Sequence, residues 1–332
     1  MIRIVLSLVL AFSSLRGKER KNLIRENLVP WCIVPFDATK RTPEERAKML
    51  VRLGFKRSAY DWRAQHVQDF EEEILQYKKH GIEFFAFWNV HPKAFELFQK
   101  HKIYPQIWKT LASPKSGTQE EKIRSAKDAM IPVVKRTSGI GCKLGLYNHG
   151  GWGGKPENLV AVCKALRAEG HEHVGIVYNW HHGHERIEEW KQDLDQMLPY
   201  LHCLNLNGMN TAAKPKILEL GKGEHDQKML RIVLESGYNG PVGILDHQNE
   251  LDAEVSLQAN LTGLDTLLGN MNSFETKNKT LPFPHNRLRD FYRKQAQSFI
   301  AQEDRNYSRI LAPFPGLDGG AWGHWGQNPE SD

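Results

Sequence analysis

The segment VGIVYNWHHGH, residues 174–184, is the part of the sequence that decides how the fold is interpreted. Its first five residues form a short, nearly apolar run of the kind expected for a strand buried on both faces, as in a parallel sheet covered by helices. An Asn, a Trp and three His follow within the next six positions. The segment therefore predicts a buried strand with a cluster of hydrogen-bonding and titratable groups at its carboxyl end.

Seven more apolar runs resemble this one, and longer stretches with helical features separate them. Thr42 followed by Pro43 is typical of a capped helix start, and Gly54, Gly81 and Gly237 are typical of helix ends before the next strand. The predicted strands are residues 31–36, 55–60, 82–88, 103–108, 142–147, 174–179, 201–206 and 242–246.

Eight such β-α units in about 250 residues predict a closed (β/α)8 TIM barrel. A doubly wound open sheet is the alternative, but no G-x-G-x-x-G motif follows the first predicted strand, as a dinucleotide-binding sheet would require. We assign the barrel to residues 25–271. Residues 272–332 are predicted to form a C-terminal helix and an irregular tail rich in Gly, Pro and Trp, through which a partner domain or chain could bind.

The amino terminus, residues 1–17, has one early Arg and then an apolar run that is too short to span a bilayer in the mature protein. It fits a signal peptide, which predicts a periplasmic or secreted protein; a first barrel strand or an amphipathic cap is the alternative. The 332-residue chain is 40% apolar with a net charge of +6, and its basic residues are scattered among acidic ones. We therefore expect no nucleic-acid partner.

In a (β/α)8 barrel the chemistry takes place at the carboxyl ends of the strands, where the βα loops converge. Every predicted strand ends in polar or aromatic residues, so the His cluster of residues 174–184 belongs to a ring of such groups. The residues predicted to bind substrate are Asp61, Arg63, Trp88, Trp108, Asn148, Asn179, Asn205, Asn207, Asp246 and His247.

The ring combines flat indole faces with directional hydrogen-bonding groups, which suits the C–H faces and hydroxyl edges of a carbohydrate. His149 and His182 are the predicted catalytic residues, because an imidazole that titrates near neutral pH can move a proton at a carbon next to a carbonyl. His181 and His184 are interpreted as structural or surface residues.

The segments GLYNHGGWGGKPEN, VGIVYNWHHGH, LNLNGM and GKGEHD resemble the xylose isomerase-like TIM barrels, the sugar isomerase/epimerase superfamily. The resemblance covers residues 27–268. With WCIVPFDA near the start and FPGLDGG and GHWG in the tail, the chain resembles a secreted branch from planctomycete-type bacteria, in which the tail often leads into a further domain.

The resemblance also implies one divalent metal, Mn²⁺, Mg²⁺, Co²⁺ or Zn²⁺, held by Glu, Asp, His and Glu at the ends of strands five to eight. These positions fall on Tyr147, Asn179, Asn205 and Asp246, so only the last keeps a carboxylate. Three neutral ligands and one Asp are a poor site for a hard cation. A rearranged zinc site, with ligands drawn from His149, His182, Asp246 and His247, is the alternative.

Two functional hypotheses follow. The first is a sugar isomerase, epimerase or related lyase that transfers a proton next to the carbonyl of a carbohydrate or keto-sugar. The second is a non-catalytic carbohydrate-binding or scaffold protein whose metal site has degenerated.

Overall fold

A computed structural model describes residues 21–245 and 247–280, without the side chains of residues 245 and 272–280. The chain divides into two units, Met1–Asn272 and Ser273–Asp332, and the barrel lies in the first. The predicted signal peptide, Asp246 and the tail from residue 281 onward lie outside the described residues. Among the described helices, none combines the length and apolar character that crossing a bilayer requires.

Within the described residues, eight parallel strands alternate with eight α-helices, as predicted for a (β/α)8 barrel. The strands are β1 Leu28–Trp31, β2 Arg57–Tyr60, β3 Glu83–Trp88, β4 Gln106–Thr110, β5 Leu144–Tyr147, β6 Val174–Asn179, β7 Leu201–Leu206 and β8 Val242–Leu245. The helices are α1 Pro43–Arg52, α2 Phe70–Lys79, α3 Pro92–His101, α4 Gln119–Gly139, α5 Pro156–Ala168, α6 Trp190–Met197, α7 Asp226–Glu235 and α8 Ala253–Thr280.

Seven of the eight junctions between neighbouring strands are parallel ladders, from β2–β3 round to β8–β1, two of them with a register shift, at Ser58/Ala59 and at Ile176/Val177. The strands β1 and β2 also lie side by side, and there the Ser58 hydroxyl donates to the Pro30 carbonyl at 3.4 Å. Because N–H and C=O of one strand residue point to the same side, the side of Pro30 that faces β2 has no N–H to donate. This explains why the ring closes there without a regular ladder.

The position of the first strand differs from the prediction. The strand is Leu28–Trp31 rather than residues 31–36, because Cys32 has a φ of 65° and turns the chain out of the extended conformation. Ile33 and Val34 are buried in the turn that follows. Their apolar character therefore reflects a turn that covers the core and not a strand.

The predicted helix signals are confirmed at atomic level. The Thr42 hydroxyl accepts from the Glu45 N–H at 3.4 Å, and the Glu45 carboxylate accepts from the Thr42 N–H at 2.9 Å, which forms a capping box. Gly54, Gly81 and Gly237 have φ values of 85°, 66° and 74°, in the left-handed region that favours glycine after a helix.

The buried side chains form two clusters. The larger one fills the space between the strands and the helices, and the smaller one fills the inside of the barrel. Helix α8 packs closely on the loop after β7, because a Cβ at Gly263 would lie 1.6 Å from the Leu220 carbonyl oxygen.

We predict that Gly263→Ala destabilises the protein by about 1–3 kcal/mol, since the added methyl group meets backbone that must move. Gly269→Ala in the same helix is the matched control, because nothing lies within 4 Å of its Cβ position. Alanine should there be neutral or stabilising by up to about 1 kcal/mol. Urea unfolding of both variants tests this, and equal stabilities would contradict it.

Candidate active site

The alternation of side chains along a strand decides which residues face the inside of the barrel. The interior cluster contains Ala59, Tyr147, Val177 and Cys203, which lie on four different strands. Counting onward by two from these residues leads to the carboxyl-end mouth of the barrel. We call the residues reached in this way, together with the corresponding residue after β8, the inward row: Asp61, His149, Asn179, His181, Asn205, Asn207 and His247.

Four aromatic side chains form the floor of the mouth. Trp31 and Trp108 lie with ring centroids 4.9 Å apart, and Trp88 and Tyr147 with centroids 4.6 Å apart, both in edge-to-face contact. Trp31 also lies 5.6 Å from Trp88. We call these four residues the aromatic floor.

Four imidazoles lie in series beside this floor. The ring centroids of His149 and His182 are 4.4 Å apart, those of His182 and His181 are 4.8 Å apart, and those of His181 and His247 are 4.7 Å apart. His182 also contacts Tyr147 edge-to-face at 5.8 Å. We call the four imidazoles the histidine row. The structure therefore brings together the predicted catalytic residues His149 and His182.

Burial holds most of the histidine row neutral. Desolvation lowers the pKa of His181 to about 2, that of His182 to about 3 and that of His247 to about 4. Positive charge on neighbouring groups, including the Lys216 ammonium group, lowers the same three pKa values further. At neutral pH these imidazoles are unprotonated, with a nitrogen lone pair free to accept a proton.

Two of the predicted substrate-binding amides are used inside the protein. Asn148 donates to the Asn179 carbonyl at 3.0 Å and accepts from the Asn179 N–H at 2.7 Å. The side chain of Asn179 donates to the Tyr147 hydroxyl at 2.6 Å and accepts from the His181 N–H at 2.9 Å. These bonds fix the turn Trp180–His182, so the two Asn residues position His181 and His182.

The remaining predicted amides differ in their environment. Asn207 donates to the Gly208 carbonyl at 2.7 Å and shapes the loop after β7. Asn205 is fully buried over Gly243, and its Nδ2 has no hydrogen-bond partner among the described residues. An unpaired buried donor is costly, so this N–H group is suited to a bound oxygen atom.

On the opposite side of the mouth, Arg63 donates to the buried Asp61 carboxylate at 2.7 Å. The Arg63 guanidinium lies over the Phe36 ring at 5.4 Å, and Phe36 contacts the His247 ring edge-to-face at 4.2 Å. These residues continue the ring of polar and aromatic groups round the mouth. Asp246, predicted to bind substrate or metal, lies outside the described residues.

The tryptophans divide between the site and the core. Within the floor, Trp88 is partly exposed, while Trp108 is fully buried and donates to Gln106 at 2.9 Å. Trp180 is fully buried against Trp190 on the helix side of the strands. Trp62 donates to the Trp88 carbonyl at 2.7 Å, and Trp152 donates to Gln119 at 3.0 Å.

Two residues of the site were missed by sequence reasoning. His181 was interpreted as structural or surface, yet it lies at the centre of the histidine row. Tyr147 is predicted to lie at the end of strand five but not to bind substrate, yet it contacts five rings of the site. The signal was present for both, since counting by two along β5 and β6 places these residues inward. His184 hydrogen-bonds the Asn210 carbonyl at 3.0 Å and stays outside the row.

The residues at the expected metal positions do not fit the metal that the resemblance implies. The Tyr147 hydroxyl is fully buried and accepts a hydrogen bond from Asn179, and burial raises its pKa well above 10, so the phenol stays neutral. Asn179 uses both polar atoms within the protein. Among the described residues, no three His, Cys, Asp or Glu side chains converge as metal ligands.

No protein-family model matches the chain, and no curated protein matches it by sequence. Solved structures do. The 3-keto-D-glucoside 4-epimerase YcjR from E. coli aligns with a TM-score of 0.55 and 13% identity, over 73% of this chain and 99% of the epimerase. The IolI protein with a bound zinc atom aligns with a TM-score of 0.58 and 14% identity, over 74% and 98% of the two chains. A candidate xylose isomerase from Rhodospirillum rubrum aligns with a TM-score of 0.56 and 11% identity, over 73% and 98%.

The chain thus shares its barrel fold with xylose isomerase-like TIM barrels. The predicted resemblance in fold is thereby confirmed. At these identities the likeness shows the fold alone, so the activity has to be argued from the residues of the site.

We predict that stability falls as the pH drops from about 6.5 towards 4. The imidazoles of His181, His182 and His247 have folded-state pKa values below the ordinary value, so the unfolded chain binds more protons in this range. Each such imidazole contributes a loss of about 1.4 kcal/mol per pH unit.

Urea unfolding at pH 7, 6 and 5 measures this slope. His181→Leu should reduce it by close to one proton. An unaltered slope in His181→Leu would contradict the assignment of His181 as a buried neutral imidazole.

Proposed function

We propose that this protein is a sugar isomerase or epimerase that transfers a proton at a carbon next to the carbonyl of a carbohydrate or keto-sugar. The observation that carries the proposal is the row of neutral imidazoles that lines one side of the barrel mouth beside an aromatic floor. The barrel fold, shared with a sugar epimerase and a candidate xylose isomerase, is consistent with it.

The mouth has the mixed character that a sugar requires. The partly exposed face of Trp88 is suited to packing against C–H groups, and the surrounding His and Arg side chains are suited to hydrogen bonding with hydroxyl groups. The buried Nδ2 donor of Asn205 is suited to an enediolate oxygen, because a preorganised N–H group stabilises developing negative charge.

His182 is the proposed base. It is neutral at pH 7 and lies between the exposed His149 and the buried His181, so a proton that it accepts can pass to His149 and then to solvent. Its low pKa makes it a weak base in the free protein. A negative enediolate next to the imidazolium would favour the charged form and raise that pKa during the reaction.

The proposal predicts exchange of a sugar C–H proton with solvent deuterium, followed by NMR. The panel is D-xylose, D-fructose, D-tagatose, L-ribulose and 3-keto-D-glucose, each with and without a chelator. His182→Gln should slow the exchange by about 100-fold or more for sugars whose exchanging proton faces His182, the usual contribution of a general acid or base. His184→Gln is the matched control, a nearby buried His outside the histidine row, and should leave it unchanged.

The binding-only alternative makes a different prediction. The amides of Asn148 and Asn179 are bonded within the protein, which is the feature that favours it. Saturable sugar binding by calorimetry, without exchange for any sugar in the panel, would support a carbohydrate-binding protein and overturn the proposed enzyme.

A further inference from the structure

The inward row contains one carboxylate among the described residues, and it lies across the barrel from the proposed base. Asp61 follows β2, and His182 follows β6. The strand order β1-β8-β7-β6-β5-β4-β3-β2, closed by the contact of β1 with β2, separates β2 from β6 by four strands in either direction. The two side chains therefore belong to opposite walls of the mouth.

The contacts of Asp61 show that its carboxyl group points inward. It hydrogen-bonds the Cys32 thiol, and Cys32 belongs to the interior cluster together with Trp31 and Tyr147. Arg63 holds a carboxyl oxygen from the rim at 2.7 Å. The side chain of Asp61 is 4% exposed, so it is fixed between the floor and the rim.

The surroundings of Asp61 also favour its protonated form more than bulk water does. Burial raises the pKa of Asp61, and the hydrogen bonds and charge of Arg63 only partly oppose this effect. A buried carboxyl group with a raised pKa, opposite a neutral imidazole, is the arrangement in which one group gives a proton while the other takes one.

We propose that Asp61 is a second acid/base residue, which acts on the face of the sugar carbon opposite to that of His182, and that the reaction is therefore an epimerisation. The inference rests on the proposed function. In an epimerisation of this kind, the proton is removed from a carbon and a proton is returned to the same carbon, with inversion of its configuration. An aldose–ketose isomerisation on one face is a different reaction.

The step balances without an oxidant or reductant. His182 takes the proton from the carbon next to the carbonyl, and the C–H electron pair forms the C=C bond while the carbonyl oxygen becomes the enediolate oxygen. Asp61 then gives its proton to the other face of the same carbon, and the C=O bond forms again. The products are the opposite epimer, an imidazolium and a carboxylate; loss of one proton to solvent and gain of another restores both groups. The reverse direction uses the same groups in exchanged roles.

Because Asp61 and His182 lie on opposite walls of the mouth, their single variants should have opposite effects on the two epimers in D2O. Each epimer loses its proton to the group on its own face, so Asp61→Asn should stop exchange with one epimer and His182→Gln with the other. Each loss should be about 100-fold or more, and neither variant should interconvert the epimers. The probes are the C3-epimer pairs D-fructose and D-allulose, D-tagatose and D-sorbose, and L-ribulose and L-xylulose.

Asp193→Asn is the matched control. Asp193 is equally buried and accepts from Arg186 at 2.7 Å, but it lies on α6 away from the mouth. The Asp193→Asn variant should exchange the proton of both epimers at the wild-type rate. If Asp61→Asn does not fold, as judged by circular dichroism, Asp61→Glu replaces it: moving the carboxyl group should slow exchange with one epimer and spare the other.

The outcomes separate this inference from the proposed function. Absence of exchange by the wild-type protein with every pair would overturn both. Exchange by the wild type, combined with loss of exchange for the same epimer in both variants, would overturn the role of Asp61 alone. Wild-type interconversion by folded Asp61→Asn would do the same.

Discussion

The site depends on one geometric constraint, the alternation of side chains along eight strands that close into a ring. Closure of the ring brings every second residue of each strand into a common interior. The side chains fit there because small residues lie next to large ones. A Cβ at Gly145 would lie 2.4 Å from Val177, and one at Gly243 would lie 1.8 Å from the Asn205 amide oxygen. Glycine at such positions leaves room for the large aromatic rings of the floor. The residues two positions further along each strand then line the mouth above the floor.

Desolvation gives this mouth its chemistry. Three imidazoles of the histidine row are kept from taking up protons because burial penalises their charged forms and neighbouring positive groups add to the penalty. Asn148 hydrogen-bonds the backbone of Asn179, and the Asn179 side chain accepts from the His181 N–H, so the turn that carries His181 and His182 is fixed. Two amides predicted to bind substrate thus position two imidazoles of the histidine row.

The Tyr147–Asn179 hydrogen bond occupies two of the positions where the resemblance implies metal-binding carboxylates. A neutral phenol and a neutral amide satisfy each other there. The anionic oxygen donors that a hard cation requires are replaced by a hydrogen bond. In the proposed function, imidazoles and the Asp61 carboxyl group act there as the acid/base groups.

Much of the architecture was predictable from local patterns. Apolar runs such as residues 174–179 and 201–206 match the observed strands, and Thr42 and Gly54 mark the helix boundaries as expected, because these signals act over a few residues. The first strand was misplaced because the turn at Cys32 buries Ile33 and Val34, and an apolar run does not distinguish a buried turn from a strand.

The sequence by itself determined the eight β-α units, the (β/α)8 barrel, and the rim on which His149, His182 and Asp61 would be found. Only the tertiary structure decided that His181 joins the histidine row, that Asn148 and Asn179 are occupied by partners within the protein, and that Asp61 lies opposite His182. The physical reason is the sequence distance over which each kind of interaction acts. Strand and helix signals are set by neighbours in sequence, whereas desolvation and hydrogen-bond pairing depend on residues that meet only when the ring closes.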